Sequence, residues 1–200
     1  LKSLITDKTK LIIINSPGNP TGGVMEEKDI RAIAEVLKDT DIFVLSDEIY
    51  SRLIYNGVKH FSIASIPEMK DRTIVLNGFS KPYAMTGWRI GYTIFPLEYR
   101  RYFLNTTLYT LSSPMALSIA AAEAALKKFE DRSELMNIYK ERAFYMKNAL
   151  IKLGFKVVEP KGAFYIFADY SEISELNSFD FAMDILRKAQ VAVVPGITFG

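Results

Sequence analysis

The sequence has no cysteine and only one histidine among its 200 residues. The absence of cysteine excludes disulfides, thiolate metal sites and a cysteine nucleophile. A single histidine is a poor basis for a metal site or for a Ser-His-Asp triad, so we predict no metal site. His60 follows a stretch of turn-forming residues at 55–58, and we interpret it as a surface or loop residue.

Long apolar runs and clustered charges are also missing. No uninterrupted apolar run approaches the roughly 20 residues of a membrane span, and the first residues lack the layout of a signal peptide. The net charge is only +2, and the basic residues are scattered, which argues against a nucleic-acid surface. Apolar residues make up 49% of the chain, enough for a substantial core. We therefore expect a cytoplasmic protein that binds neither membrane nor nucleic acid.

What the sequence does contain is a series of short apolar runs typical of buried strands. Three of them cover residues 11–14, 42–45 and 73–76, and a fourth covers residues 90–95. Between the first two runs, apolar residues recur at helical spacing and follow an acidic first turn. This strand–helix–strand order predicts a parallel βαβ unit and an α/β fold with a mostly parallel sheet.

The second half of the chain is predicted to start with helices and to continue with short strands and one further helix. Residues 115–129 are rich in alanine, and residues 131–154 form a long helical pattern with Asp131 as its cap. Beyond it we predict strands over 155–159, 163–168 and 191–194, with a helix that starts after Ser178. The pattern favours a large domain (1–130), a connecting helix (131–154) and a smaller α+β domain (155–200).

Reactive residues follow three of the predicted strands. Asn19-Pro-Thr-Gly22 follows the first strand, Asp47-Glu-Ile-Tyr50 the second, and Ser80-Lys81 the third, with Arg89 eight residues after Lys81. In an open α/β sheet, ligands bind at the carboxyl ends of the strands. A lysine amine can form an imine with a carbonyl, and a guanidinium holds a phosphate with two parallel hydrogen bonds. The set predicts a site for an aldehyde that carries a phosphate.

Over nearly all 200 residues, these motifs and their order resemble the fold-type-I pyridoxal-phosphate-dependent aminotransferases, specifically the class I and II family around aspartate and aromatic aminotransferases. The resemblance implies pyridoxal 5'-phosphate as cofactor. It implies an L-amino acid and a 2-keto acid as substrates, and a homodimer as the assembly. It also implies that the sheet belongs to the large domain of that fold, followed by the family's small domain.

The resemblance implies catalytic roles for Lys81, Asp47 and Tyr50. Lys81 is expected to hold the cofactor as a Schiff base and to carry a proton once its amine is released. Asp47 is expected to face the pyridine nitrogen and favour its protonated form, which makes the ring an electron sink. Tyr50 is expected to place its hydroxyl on the phenolic oxygen of the cofactor.

Three further residues are implied as cofactor contacts. Asn19 would donate to the same phenolic oxygen and also contact the substrate carboxylate, whereas Arg89 and Ser80 would bind the phosphate. The chain departs from part of the family at Gly78, where a serine three residues before the lysine is replaced. Tyr83, Phe164 and Tyr165 are candidates for the wall of the substrate pocket.

Several parts of the family's site have no counterpart in these residues. They are the glycine-rich phosphate loop, the aromatic that stacks on the cofactor ring and the arginine that binds the substrate carboxylate. We therefore expect an internal piece of a longer protein, which by itself exposes sheet surface and binds the cofactor poorly. Tight stoichiometric binding of the cofactor by the 200-residue chain would contradict this expectation.

Two alternatives to amino transfer stay open. A carbon–sulfur β-lyase of the same fold would share Lys81, Asp47, Tyr50 and Arg89, so these motifs do not separate the two reactions. A non-catalytic aminotransferase-like domain that binds an effector in a transcription regulator is the third reading.

Overall fold

The structure is a computed structural model that describes residues 1–128 and 133–200. Its main sheet has four strands in the order β1 (Leu11–Asn15), β2 (Phe43–Asp47), β3 (Thr73–Gly78) and β4 (Gly91–Ile94). The first three strands run parallel and β4 pairs antiparallel with β3. The mostly parallel α/β sheet predicted from the sequence is therefore confirmed.

Helix α1 (Glu27–Leu37) connects β1 to β2 and covers one face of the sheet. Its start is fixed by a capping box in which Glu26 and Asp29 each accept a hydrogen bond from the other's backbone N–H. The apolar stripe of α1 joins the sheet and two short 3-10 helices, Ile63–Ser65 and Pro67–Arg72, in the main core. The buried members of this core are Ile14, Ile30, Ala34, Leu37, Ile42, Val44, Ile63, Ile66 and Met69.

Three helices follow the sheet. They are α2 (Arg100–Thr110), α3 (Ala116–Lys128) and α4 (Ser133–Lys152). The predicted cap at Asp131 and the predicted boundary between residues 130 and 131 lie outside the described residues, so the division into domains stays a prediction. No helix within residues 1–128 and 133–200 has the length and hydropathy needed to cross a membrane.

The strands of the C-terminal segment are shorter than predicted. Only β5 (Lys156–Val157) and β6 (Ala168–Asp169) pair, antiparallel. Ala163 lies in the left-handed region, with φ 55°, and donates its N–H to the carbonyl of Leu53 (2.8 Å). The chain at Ala163 therefore docks onto the first part of the protein. The backbone N–H of Ala163 bonds there and is not available to extend the pairing of β5 with β6.

The predicted strand over residues 191–194 is wrong, because these residues do not pair with any strand in the described chain. Their β-branched side chains favour an extended backbone, but a strand also requires a neighbour that supplies its hydrogen bonds. Helix α5 (Ser178–Ala189) forms as predicted, although its N-cap is Asn177, whose side chain accepts from the N–H of Asp180 (2.9 Å).

Candidate active site

The carboxyl ends of β1, β2 and β3 lie side by side, because Asn15 is in register with Asp47, and Asp47 with Leu76. Asn15 links two of the predicted motifs at this edge. Its side-chain oxygen accepts from the N–H of Asn19 (2.6 Å), and its amide nitrogen donates to the carbonyl of Asp47 (3.5 Å). The peptide bond between Asn19 and Pro20 is cis, and the Asn19 side chain is exposed.

The Asp47 carboxylate is half-buried at this edge of the sheet. Its Oδ1 atom accepts from the N–H of Ile49 (3.2 Å), which fixes the turn that leads to Tyr50. Within the described ranges, no lysine, arginine or histidine forms an ion pair with Asp47. The carboxylate is thus held in place and keeps capacity to accept a proton or a hydrogen bond from a ligand.

The Tyr50 side chain is almost completely buried, with 3% of its surface exposed. Its hydroxyl lies 2.6 Å from the hydroxyl of Tyr165, 115 residues further along the chain. Burial raises the pKa of the Tyr50 phenol far above its ordinary value. Tyr50 is therefore a neutral phenol, able to donate a proton, throughout the physiological pH range.

The Lys81 amine lies between two aromatic rings. Its Nζ atom is 5.0 Å from the ring centroid of Phe164 and 5.8 Å from that of Tyr50. Both separations are within the range of cation–π attraction. No carboxylate in the described part of the chain forms an ion pair with Lys81. The half-buried amine is thus oriented by ring contacts and is not held by a described carboxylate, which leaves its nitrogen available to a carbonyl.

Arg89 begins the approach to β4 and has a left-handed backbone with φ 51°. Its Nη1 atom donates to the carbonyl of Thr86 (2.7 Å). The side chain lies on a cavity of about 570 Å³ whose remaining lining comes from residues 84–91 and 111–118. The guanidinium is exposed and has no ion pair with a described carboxylate.

Ser80 is half-buried beside Lys81. The phosphate-binding role of Ser80 and Arg89 stays a prediction.

Gly78 has a steric reason to replace serine. A Cβ atom at this position would lie 3.0 Å from the Cα atom of Gly91 and 3.3 Å from the carbonyl of Ile90. Both contacts are with the backbone of β4 or the residue before it, which has little freedom to move. The close approach of β3 and β4 therefore favours glycine at both ends of this pair.

His60 lies in a loop, as predicted, but its side chain is only 18% exposed. Its Nε2 atom lies 2.9 Å from Oε2 of Glu48, whose other oxygen accepts from Ser62 (2.5 Å) and Ser46 (3.1 Å). Burial opposes ionisation of Glu48, but the hydrogen bonds from His60 and Ser62 outweigh it and lower its pKa. A buried carboxylate needs donors, and the chain after the Asn56-Gly57 turn returns to supply them.

Sequence reasoning gave little weight to two residues that the structure brings to the site, Phe164 and Tyr165. The sequence signal for both residues was their position directly after the Gly162-Ala163 turn, in an apolar run that we predicted as a strand. The sequence analysis missed Asn15, the last residue of β1, although a polar side chain at a strand end is itself a signal for a site.

Comparisons with known proteins point to one family. The family model described as "Aminotransferase class I and II" matches residues 1–200. The chain is 42% identical over 205 residues to an aspartate aminotransferase of Pyrococcus abyssi, and the match covers 100% of this chain and 52% of the relative. It is 41% identical over 200 residues to a probable N-acetyl-LL-diaminopimelate aminotransferase of Bacillus subtilis, with 100% and 50% covered.

Solved structures give the same result. An aromatic aminotransferase from Pyrococcus horikoshii matches with a TM-score of 0.93 and 40% identity, over 100% of this chain and 54% of that one. An aspartate aminotransferase from Rhizobium meliloti matches with a TM-score of 0.95 and 33% identity, over 100% and 53%. The chain thus spans about half the length of the curated relatives that it matches.

Proposed function

Because the chain belongs to the class I and II aminotransferase family, we propose that the full-length protein is an aminotransferase that moves an amino group between an L-amino acid and a 2-keto acid. The family depends on pyridoxal phosphate. The proposal rests most directly on the Lys81 amine, which lies against the rings of Tyr50 and Phe164 and has no carboxylate partner among the described residues.

The donor and acceptor groups of the site fit pyridoxal phosphate. An amine suits its aldehyde, an anionic carboxylate suits its pyridine nitrogen, and a neutral phenol suits its phenolic oxygen. Lys81, Asp47 and Tyr50 supply these three groups, and each has capacity left for a ligand after its contacts with the described residues. When bound, the cofactor supplies an electron sink for the pair of electrons that a substrate Cα–H bond leaves behind.

We propose that Lys81 Nζ anchors the cofactor and, once released, moves a proton from and to the substrate Cα. Asp47 would keep a proton on the ring nitrogen of the cofactor, since a carboxylate favours the charged form of that nitrogen. Tyr50 would donate its hydroxyl proton to the phenolic oxygen. The low accessibility of Tyr50 limits the competition of water for that hydrogen bond.

The remaining contacts are assigned by their positions around this centre. We propose that Asn19, which Asn15 fastens to the end of β1, donates its amide to the phenolic oxygen and to the substrate carboxylate. We propose that Ser80 and Arg89 bind the phosphate, since Ser80 directly precedes Lys81 and the exposed Arg89 follows it by eight residues. A homodimer and a cytoplasmic location remain predictions from the resemblance.

Amino transfer is tested on the full-length protein loaded with pyridoxal phosphate. Aspartate, aromatic amino acids and an amino acid with a thioether at Cβ are offered, each with and without 2-oxoglutarate, and the new amino acid, pyruvate and ammonia are measured. We expect an amino product that appears only when the keto acid is present. Lys81→Ala should abolish it, whereas Lys70→Ala, at an exposed lysine without an ion pair to any described carboxylate, should not.

The other outcomes distinguish the alternatives. Release of pyruvate and ammonia without a keto acid would instead establish β-elimination by the same residues. Binding of an amino acid without any turnover would support the effector-binding reading.

A further inference from the structure

We propose that Tyr165 is a positioning residue for Tyr50: it donates its hydroxyl proton to the Tyr50 oxygen and so leaves the Tyr50 proton free for the cofactor. The inference rests on the proposed function. It assigns to residue 165 a role toward the site that is distinct from lining the substrate pocket. The observation behind it is the separation of 2.6 Å between the two hydroxyl oxygens.

The direction of this hydrogen bond follows from counting protons. A phenol has one proton to donate, and only one proton can lie between two hydroxyl oxygens in contact. If Tyr50 donated to Tyr165, it could not donate to the cofactor. If Tyr165 donates instead, the Tyr50 oxygen accepts on one side and its own O–H remains available on the other. Successive hydrogen bonds of this kind strengthen one another.

The Tyr165 ring is held firmly enough to fix this direction. It packs edge-on against the Tyr50 ring, with centroids 5.6 Å apart, and it lies next to Phe164, the ring that contacts Lys81. Neither contact depends on the Tyr165 hydroxyl. Replacing Tyr165 with phenylalanine should therefore remove the hydrogen bond and keep the packing.

The chain around Tyr165 is anchored to the first part of the protein by several hydrogen bonds. The N–H of Lys161 donates to the carbonyl of Gly22 (3.1 Å), and the N–H of Tyr55 donates to the carbonyl of Lys161 (2.8 Å). The buried hydroxyl of Tyr55 donates to the carbonyl of Ala163. Burial raises the pKa of Tyr55 to about 12, so this donor also stays protonated at physiological pH.

Loss of the Tyr165 hydroxyl should move a measurable pH midpoint. The visible band of a lysine-bound pyridoxal phosphate changes with pH, and its high-pH form has the larger negative charge on the phenolic oxygen. A hydrogen bond from Tyr50 to the phenolic oxygen stabilises the high-pH form more than the low-pH form. If this hydrogen bond is weaker, the high-pH form is reached only at higher pH, so the midpoint should rise. Tyr165→Phe leaves the Tyr50 proton free and removes only the mutual strengthening of the two hydrogen bonds, about 10–30% of a net contribution near 1 kcal/mol, which corresponds to a rise of about 0.1–0.2 pH unit.

The experiment is a pH titration of this band in the full-length protein loaded with pyridoxal phosphate. The proteins compared are the wild type, Tyr165→Phe, Tyr50→Phe and the double variant. Tyr139→Phe is the matched control, because Tyr139 stacks on the same Phe164 ring at 5.7 Å and has no hydrogen bond with Tyr50. Thermal unfolding midpoints establish that each variant keeps its packing.

We expect Tyr165→Phe to raise the midpoint by about 0.1–0.2 pH unit, less than Tyr50→Phe raises it, and to add nothing once Tyr50 is already phenylalanine. Tyr139→Phe should leave the midpoint at the wild-type value. An unchanged midpoint in Tyr165→Phe would overturn the inference, and so would an equal shift in the Tyr50→Phe background. A wild-type protein that shows no such band would overturn the proposed function itself, and the inference with it.

Discussion

At the scale of single residues, Asp47 and Glu48 are adjacent carboxylates with opposite surroundings. Glu48 is 6% exposed and accepts hydrogen bonds from Ser46, His60 and Ser62. Asp47 accepts only from the backbone of Ile49 among the contacts found in the described chain. The hydrogen bonds of Glu48 therefore hold the end of β2 in place, and Asp47 remains available to a ligand.

The hydrogen bond between His60 and Glu48 also assigns a tautomer to the histidine. An ionised carboxylate accepts and cannot donate, so the proton must lie on Nε2. The Nδ1 atom is buried and has no hydrogen-bond partner in the described chain. The Nε2 tautomer thus avoids burying an unpaired N–H donor at Nδ1.

Glu48→Gln should lower the free energy of unfolding at neutral pH by about 1–3 kcal/mol, because an amide cannot accept all three donors as a carboxylate does. The pKa of Glu48 is depressed in the folded state below its ordinary value of 4.5. Its contribution is therefore present above that value and is lost as the pH falls through the folded pKa. Denaturant titrations from neutral to acidic pH measure both effects.

The control for this prediction is Glu68→Gln, at an exposed glutamate without an ion pair in the described chain. It should change the unfolding free energy little. If Glu48→Gln proved as stable as the wild type at neutral pH and equally sensitive to acid, Glu48 would not have the anchoring role assigned to it.

At the scale of elements, Gly22 is the contact point between the end of the Asn19 turn and residues 160–165. Its φ is +66°, and a Cβ atom there would lie 2.9 Å from the carbonyl of Tyr165 and 3.2 Å from that of Gly162. Glycine is thus required both by the backbone conformation and by the close approach of the second segment.

Gly22→Ala should destabilise the protein more than Gly57→Ala. Both glycines have a positive φ, but a Cβ atom at Gly57 would meet nothing within 4 Å. The left-handed backbone costs alanine about 1–2 kcal/mol at either position, and only Gly22→Ala adds a clash with a backbone carbonyl. Equal losses in unfolding free energy would show that residues 160–165 do not dock closely on Gly22 in solution.

How far the sequence predicts these elements depends on the range of the interactions. The strands that precede Asn19, Asp47 and Lys81 are recognisable because their apolar runs and the turn residues after them are local signals. The Tyr50–Tyr165 hydrogen bond joins residues 115 positions apart, and no local pattern encodes it. The missing strand at 191–194 has the same cause, since pairing depends on a neighbour and not on composition.

At the scale of the whole molecule, the chain leaves large apolar surfaces exposed. Ile13 of β1 is 66% exposed and Ile94 of β4 is 59% exposed, so the expectation of exposed sheet surface is confirmed. The helices and the loop between them add further exposed apolar side chains, which include Leu104, Leu108, Tyr109, Leu111, Met115 and Leu117. Surfaces of this kind normally pack against other protein.

The extent of these surfaces agrees with a chain that spans about half of its relatives. The proposed site draws on both halves of the chain, since Lys81 and Tyr50 from the first half contact Phe164 and Tyr165 from the second. The site is therefore a property of the folded molecule as a whole, and no single strand end suffices to form it.

The central claim is that the Lys81 amine bonds to pyridoxal phosphate. It is tested by reducing the cofactor-loaded full-length protein with borohydride, digesting it, and locating the added mass by tandem mass spectrometry. We expect the mass on Lys81, and its loss together with the visible band in Lys81→Ala. A cofactor found reproducibly on a different lysine, or an unchanged spectrum in Lys81→Ala, would contradict the account.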